Sequence, residues 1–320
     1  MYTIKYTLLY NRIYLENSNR ETIITGSKKE FSDMDIKRVA LKVSMKATHP
    51  VKISRWTGSM IRGAIKSALA YKHCKNIRYE NCNKCKYEDC PNKFLFDRKE
   101  TGSGRIEANL VVLNTPFFEN DTVTDNLEFN IIVFENIFDE VGILRELLTE
   151  GIRMGEPRVL WQAVKFEESE DTIQIPDYKQ NTDKICSCRV YFDTPIVSNQ
   201  TSEVKNIRLT PENFVKLVTR RLAGISNTAE LGYLVPYNEL IQDASSFGII
   251  HNNLTDIELL RKSTTKNRID CVKAKCGSIE LSGRLESFYP YLKLISNLNI
   301  GKECTMGLGK YSVSELEYEV

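Results

Sequence analysis

The chain has 320 residues, 42% hydrophobic and 27% charged, with nine cysteines and a formal net charge of +2. That balance excludes a chain disordered over most of its length and leaves room for one large or two ordinary domains. No run approaches the 18 apolar residues of a membrane span. The start, Met1 to Tyr10, alternates and carries tyrosines, without the apolar run or small-residue cleavage site of a secretory signal, so the expected location is the cytoplasm.

In chain order, Val39 to Met45 alternates with the period of a strand, and from Thr57 to Lys72 the residues Met60, Ile61, Ala64, Ile65, Ala68 and Leu69 share one helical face. Thr57 or Ser59 is the expected N-cap. Ile106–Leu113 and Leu127–Phe134 read as strands around the polar turn Glu119-Asn120-Asp121. Ile137, Val141, Leu144 and Leu148 predict a helix that Gly151 ends, and Val159–Phe166 predicts a closing strand. The acidic stretch Glu167–Lys184, with Pro176, reads as a linker. Beyond it, Cys186–Phe192 predicts a strand, and Thr210-Pro211-Glu212 a helix start with a capping hydroxyl and proline at the first position. Strands near Val272 and at Ser278–Gly283, a helix from about Leu285 to Leu298 and a strand at Tyr311–Leu316 follow. Two similar halves, 1–170 and 185–320, imply an α+β fold of two tandem ferredoxin-like domains.

The small net charge hides a strong segregation. Ile36–Arg105 holds 17 Lys/Arg against 5 Asp/Glu, Ile106–Asp183 holds 5 against 17, and Arg261–Tyr311 holds 10 against 4. Two basic stretches around an acidic one suggest a dipolar molecule with one face for a polyanion.

Cytosolic thiols stay reduced, so clustered cysteines point to metal before disulfide. Cys74, Cys82, Cys85 and Cys90 contain a C-x2-C pair, whose two thiolates can reach one tetrahedral ion, and two flanking thiolates that would close the site. Lys75, Lys84 and Lys86 would offset their charge, and His73 is a substitute ligand. Four ligands with no open position describe a structural zinc in a small insertion of the first domain, residues 74–90. Near the C-terminus Gly301, Gly307 and Gly309 are flanked by Lys302 and Lys310. The glycines would let backbone approach a ligand and the lysines would neutralise phosphate. The spacing matches neither a Walker motif nor a dinucleotide fingerprint, and an ordinary tight turn has the same composition.

The run Gly283-Arg-Leu-Glu-Ser-Phe-Tyr-Pro-Tyr-Leu-Lys-Leu294, continuing into Gly301-Lys302 and Gly307-Leu-Gly-Lys-Tyr311, resembles the closing glycine-rich region of the CRISPR repeat-processing endoribonucleases of the RAMP superfamily. Gly58-Ser-Met-Ile-Arg-Gly-Ala64 before the four cysteines, Phe94-Leu-Phe96, Leu144-Arg-Glu-Leu147 with Gly151-Ile-Arg-Met-Gly155, and Phe192-Asp-Thr-Pro195 are similar to the cysteine-bearing branch of that family, in the same order. The resemblance implies two ferredoxin-like domains and metal-independent cleavage of repeat RNA. In that chemistry the 2′-hydroxyl attacks the adjacent phosphate and leaves a 2′,3′-cyclic phosphate. A group must take the 2′ proton, another must protonate the leaving oxygen, and a cation must hold the phosphorane charge.

His49, read as lying in a loop before the Thr57 helix, is then the candidate base, and Lys52 the candidate cation. Arg55, Arg62, Lys66, Arg268, Lys273 and Lys275, with Gly301, Lys302, Gly307, Gly309 and Lys310, form the expected RNA-binding set. His251 follows an apolar pair and reads as structural. The stretch Asn267–Lys273, where the branch carries a histidine, has none, which leaves a second reading: a non-catalytic subunit holding guide RNA in a CRISPR effector complex. A third is a zinc-containing adaptor that binds an acidic protein. Expected partners are therefore repeat or guide RNA and other CRISPR effector subunits, with no membrane and no catalytic metal.

Overall fold

Val39, Leu41, Val43, Met45, Ala47, Val51 and Ile53 are buried with the two-residue period of a strand, and this alternation is strand β1 (Asp35–Ile53) of the computed structural model. The structure describes residues 35–74, 90–96, 111–134, 139–176, 186–197, 209–228, 236–263 and 268–316. After β1 come helices α1 (Thr57–His73) and α2 (Pro91–Phe96), strands β2 (Val111–Asn114) and β3 (Thr122–Phe134), helix α3 (Asp139–Glu150), and strands β4 (Ile152–Met154) and β5 (Val159–Gln174). The strands lie in the order β2-β3-β1-β5-β4, every pair antiparallel. Setting β4 aside as an added edge, this is the β-α-β-β-α-β order of a ferredoxin-like sheet.

The second half repeats it. Strand β6 (Ser187–Ile196) is followed by helices α4 (Pro211–Thr228) and α5 (Tyr237–Asp243), strands β7 (Phe247–Asn252), β8 (Thr255–Ser263) and β9 (Arg268–Gly283), helix α6 (Tyr289–Ile295) and strand β10 (Tyr311–Glu315). The sheet runs β10-β6-β9-β7, and β8 pairs with the first half of β9 as a hairpin extending beyond β7. On β6 the side chains of Cys188, Val190 and Phe192 go inward while Arg189, Tyr191 and Asp193 go outward. The inward set meets Phe214 and Phe288, whose rings pack edge to face at 6.0 Å, and Phe247, stacked on Phe288 at 5.6 Å. Buried residues of both halves form one contiguous core, and both sheets lie within one compact unit, Ser32–Val320. No helix among the described residues is long and apolar enough to cross a membrane.

Several expectations change. Glu167–Gln174, read as linker, is the outer part of β5 and pairs with β1 from Asp35 to Lys42. Its acidic composition belongs to an exposed sheet edge, where charge discourages pairing with another chain, and such an edge looks like a loop in sequence. The strands expected near Val272 and Ser278 are one strand, and the last helix is confined to Tyr289–Ile295. Strands β7 and β8 and helix α5 were not anticipated; the outward residues of this segment break its period. Thr57 does not cap α1: its hydroxyl donates to the carbonyl of Pro116, and Trp56 precedes the helix with no side-chain cap. Thr210 does act as expected, accepting from the Asn213 N–H at 3.2 Å, and Gly151 donates to Leu147 at the end of α3.

The charge segregation along the chain is largely undone in space. Basic β1 lies between acidic β3 and β5, and Arg38 meets Asp171 at 2.5 Å, Lys42 meets Glu128 at 3.5 Å and Lys52 meets Asp121 at 3.2 Å. Lys72 of α1 pairs with Glu146 and Glu150 of α3. Sequence blocks of opposite sign became strand and helix neighbours, which is not the separated dipole that the counts suggest.

Candidate nucleic-acid interface

Two connections of the first half are stitched together beside the last turn of β1. Trp56 and Phe117 form an isolated antiparallel bridge, and the Phe118 N–H donates to the Arg55 carbonyl at 3.2 Å. Asp121 is shared: one oxygen accepts the Arg55 backbone N–H at 3.0 Å, the other lies 3.2 Å from Lys52 Nζ. That N–H, and then Lys52, hold the Asp121 carboxyl below its ordinary range. The Arg55 guanidinium lies over the Phe117 ring, 5.3 Å from its centroid.

The glycine-rich segment docks on this same corner. Trp56 Nε1 donates to the Met306 carbonyl at 2.8 Å. Gly58, in the first turn of α1, leaves space for that carbonyl, since a methyl there would collide with it. Trp56, Val197, Leu259, Ala274, Met306 and Leu308 form a small second apolar cluster joining α1, the β8–β9 hairpin and the loop. Gly301, Gly307 and Gly309 all have left-handed backbones. At Gly309 (φ 77°) a side chain would strike the Ile300 carbonyl. The close approaches of these glycines are to the protein's own backbone and side chains: Val197 for Gly301, Leu113 and Thr115 for Gly307, Ile300 for Gly309. Lys302 is exposed and Lys310 half-buried at the two ends of this segment.

Residues 36–180 match a family model described as an N-terminal domain, and residues 190–311 match the model of the CRISPR-associated endoribonuclease Cas6. The second half is a Cas6 domain. Among solved structures, a partial Cas6-RT-Cas1–Cas2 complex is similar over 90% of this chain at 14% identity and a TM-score of 0.52. The chain spans about half, 47%, of that longer protein. A Thermus thermophilus Cas6 product complex is similar over 87% of this chain and 100% of its own, at 12% identity and TM-score 0.51. A Cas6 substrate-mimic complex gives 12% identity and 0.51 over 87% of this chain and 99% of its own. At such identities the likeness is one of fold. No curated protein matches.

The other expected residues disperse. His49 lies within β1, not in a loop, at a register shift where five steps of β1, Lys46 to Val51, face two of β3, Asn126 to Thr124. The irregularity turns an inward position outward: His49 is exposed, with Nδ1 3.2 Å from the Thr48 hydroxyl. Arg62 donates to the Phe96 carbonyl at 3.1 Å and lies over the Phe96 ring, fastening α2 to α1. Lys66 is half-buried one turn further along. Lys273 is exposed on β9, opposite Glu258, and Lys275 pairs with Asp256 at 2.6 Å. Arg268 opens β9 opposite Ser263. Cys74 ends α1 and Cys90 precedes α2, while Cys82 and Cys85 lie outside the described residues. Among the described residues no three His, Cys, Asp or Glu side chains assemble into a metal-binding group.

The Cas6 domain brings together a set that the sequence does not single out, and it includes His251, which reads as structural in the sequence but is exposed. On the outward face of its sheet, β9 places Glu280 between Arg189 of β6 and His251 of β7. Arg189 donates through Nε (2.9 Å) and Nη2 (2.5 Å) to one Glu280 oxygen, and His251 Nε2 lies 3.7 Å from the other. Tyr191, 55% exposed, stands two residues along β6 on the same face. Nothing local signals this group; the alternation of Arg189 and Tyr191 with buried neighbours is the one hint, and strand pairing supplies the rest.

Proposed function

We propose that this protein is an endoribonuclease that cleaves CRISPR repeat RNA to mature guide RNA. The observation that carries the reading is the match of residues 190–311 to the Cas6 endoribonuclease model, on a chain with two ferredoxin-like sheets. The proposed reaction is attack of a substrate 2′-hydroxyl on the adjacent phosphorus without a catalytic metal, giving a 2′,3′-cyclic phosphate and a 5′-hydroxyl. It needs proton transfer and a cation beside the phosphate. Chain order offers His49 and Lys52 as candidates for these two roles, and His49 is turned outward at an irregular strand. Lys52 would have to leave Asp121 to serve. Arg55, Arg62, Lys66, Arg268, Lys273, Lys275, Lys302 and Lys310 are proposed as contacts to the RNA backbone.

A structural zinc on Cys74, Cys82, Cys85 and Cys90 is proposed from their spacing. Other CRISPR proteins are proposed partners, since a similar fold occurs in a Cas6-RT-Cas1–Cas2 complex.

The engagement of Lys52 by Asp121 favours a second reading, in which the protein holds guide RNA without cutting it. The test is incubation in EDTA with repeat RNA and with a copy carrying a 2′-deoxy sugar at the cut site. Cleavage of the all-ribose RNA alone supports the nuclease. Tight, salt-dependent binding of both without cleavage selects the guide-holding protein.

A further inference from the structure

We infer that the outward face of the second sheet is an RNA phosphodiester site in which His251 transfers the proton, Arg189 holds the phosphate and Glu280 positions both. The inference rests on the endoribonuclease reading above and names the residues that would perform it.

Four observations converge. First, Glu280 is a carboxylate in the middle of a sheet, its side chain only 10% exposed, with Arg189 on one oxygen and His251 beside the other. The carboxylate lies 3.7 Å from His251 Nε2, so Nδ1 is the ring nitrogen turned away from it. Second, His251 itself is open, its side chain 63% exposed, and its Nδ1 has no hydrogen-bond partner among the described residues. Third, β7 slips by one residue at this point: Ile249 pairs with Leu281 and His251 with Glu280, leaving Ile250 over. That bulge sets the histidine on the outward face; regular alternation from the inward Ile249 would have turned position 251 inward. Fourth, the face continues with Tyr191, whose ring offers a stacking surface for an unpaired base about 7 Å along β6 from Arg189. Beyond Tyr191 the strand leads to buried Thr194, whose hydroxyl accepts the Lys310 backbone N–H at 2.9 Å and ties the end of β6 to the glycine-rich segment.

His49 lacks this setting. Its one described polar contact is the neighbouring Thr48 hydroxyl, and no carboxylate is recorded beside its ring among the described residues.

In the proposed step His251 Nδ1 accepts the proton of the substrate 2′-hydroxyl as the 2′-oxygen bonds to phosphorus. Arg189 stabilises the charge on the non-bridging oxygens through the part of its guanidinium not used by Glu280. The bond from phosphorus to the 5′-oxygen breaks, the departing oxygen takes a proton from water, and the imidazolium returns its proton to solvent. No oxidant, reductant or metal enters the balance.

The experiment is single-turnover cleavage of a labelled synthetic RNA carrying the CRISPR repeat of the same genome, by the full chain and by His251→Ala and His49→Ala. Binding of the 2′-deoxy RNA is measured in parallel. His251→Ala is expected to lose about 100-fold or more in cleavage rate, with binding changed by less than about threefold and activity partly restored by added imidazole. Glu280→Gln is expected to slow cleavage without imidazole rescue. A His251→Ala protein cleaving within about threefold of the parent overturns the inference and leaves the endoribonuclease reading intact. A parent protein that binds but never cleaves overturns both.

Discussion

Both exposed histidines with a claim on chemistry sit where a strand loses register with its neighbour, at Lys46–Val51 of β1 and at Ile249–His251 of β7. The irregularity does the same thing in each: it turns a ring outward from a sheet. What surrounds the rings differs. Around His49 the charged groups are spent on holding connections together, with Asp121 tied to the Arg55 N–H and to Lys52. Around His251 a shielded carboxylate gathers an arginine and the imidazole on one face. The lesson is that position in a family order and fitness for proton transfer are separate properties, and only the second depends on what lies across the sheet.

The sharpest way to break this comparison is the paired cleavage measurement already described, where the expected difference is about two orders of magnitude. Next in size is the joint between the halves. Gly58→Val puts side-chain carbons where the Met306 carbonyl lies, and should cost about 3 kcal/mol or more in urea unfolding, lowering activity through either histidine alike. Trp56→Phe removes only the hydrogen bond to Met306 and should cost about 1 kcal/mol, so activity falling with the first variant and not the second identifies the joint as scaffold. The cysteine insertion makes a similar contrast: mass spectrometry of metal content should give one zinc per chain, lost in Cys82→Ser. Equal metal in that variant would remove the four-cysteine proposal.

The smallest effect sharpens the His49 side. Asp121 has a carboxyl held below its ordinary value of 3.8, so its contribution to stability is complete above that pH and fades as pH falls through its lower folded value. Asp121→Asn should therefore weaken folding by under about 1 kcal/mol at pH 6 and by less at pH 3. It also releases Lys52. Faster cleavage in this variant would point back to His49 and Lys52, and unchanged cleavage would leave β7 as the place to look.

Much of the fold was legible because each element carries its own period or cap. The alternation of β1, the stripe of α1, Thr210-Pro211 before α4 and Gly151 after α3 are local signals that tertiary packing did not override. The segment from Glu167 to Gln174 failed for a local reason too: an edge strand protected by acidic residues has the composition of a loop.

By itself, then, the sequence determined the βαββαβ order of the first half, the family of the second half and the need for glycine near its end. The tertiary structure alone decided what those glycines press against, that basic and acidic blocks become paired neighbours, and that Arg189, His251 and Glu280, distant in sequence, share one face. The physical reason is the same in all three. Periods, caps and turn residues act within a few positions of the chain, whereas contact across a sheet depends on register, and register is settled only when the whole inward face finds its place in the core.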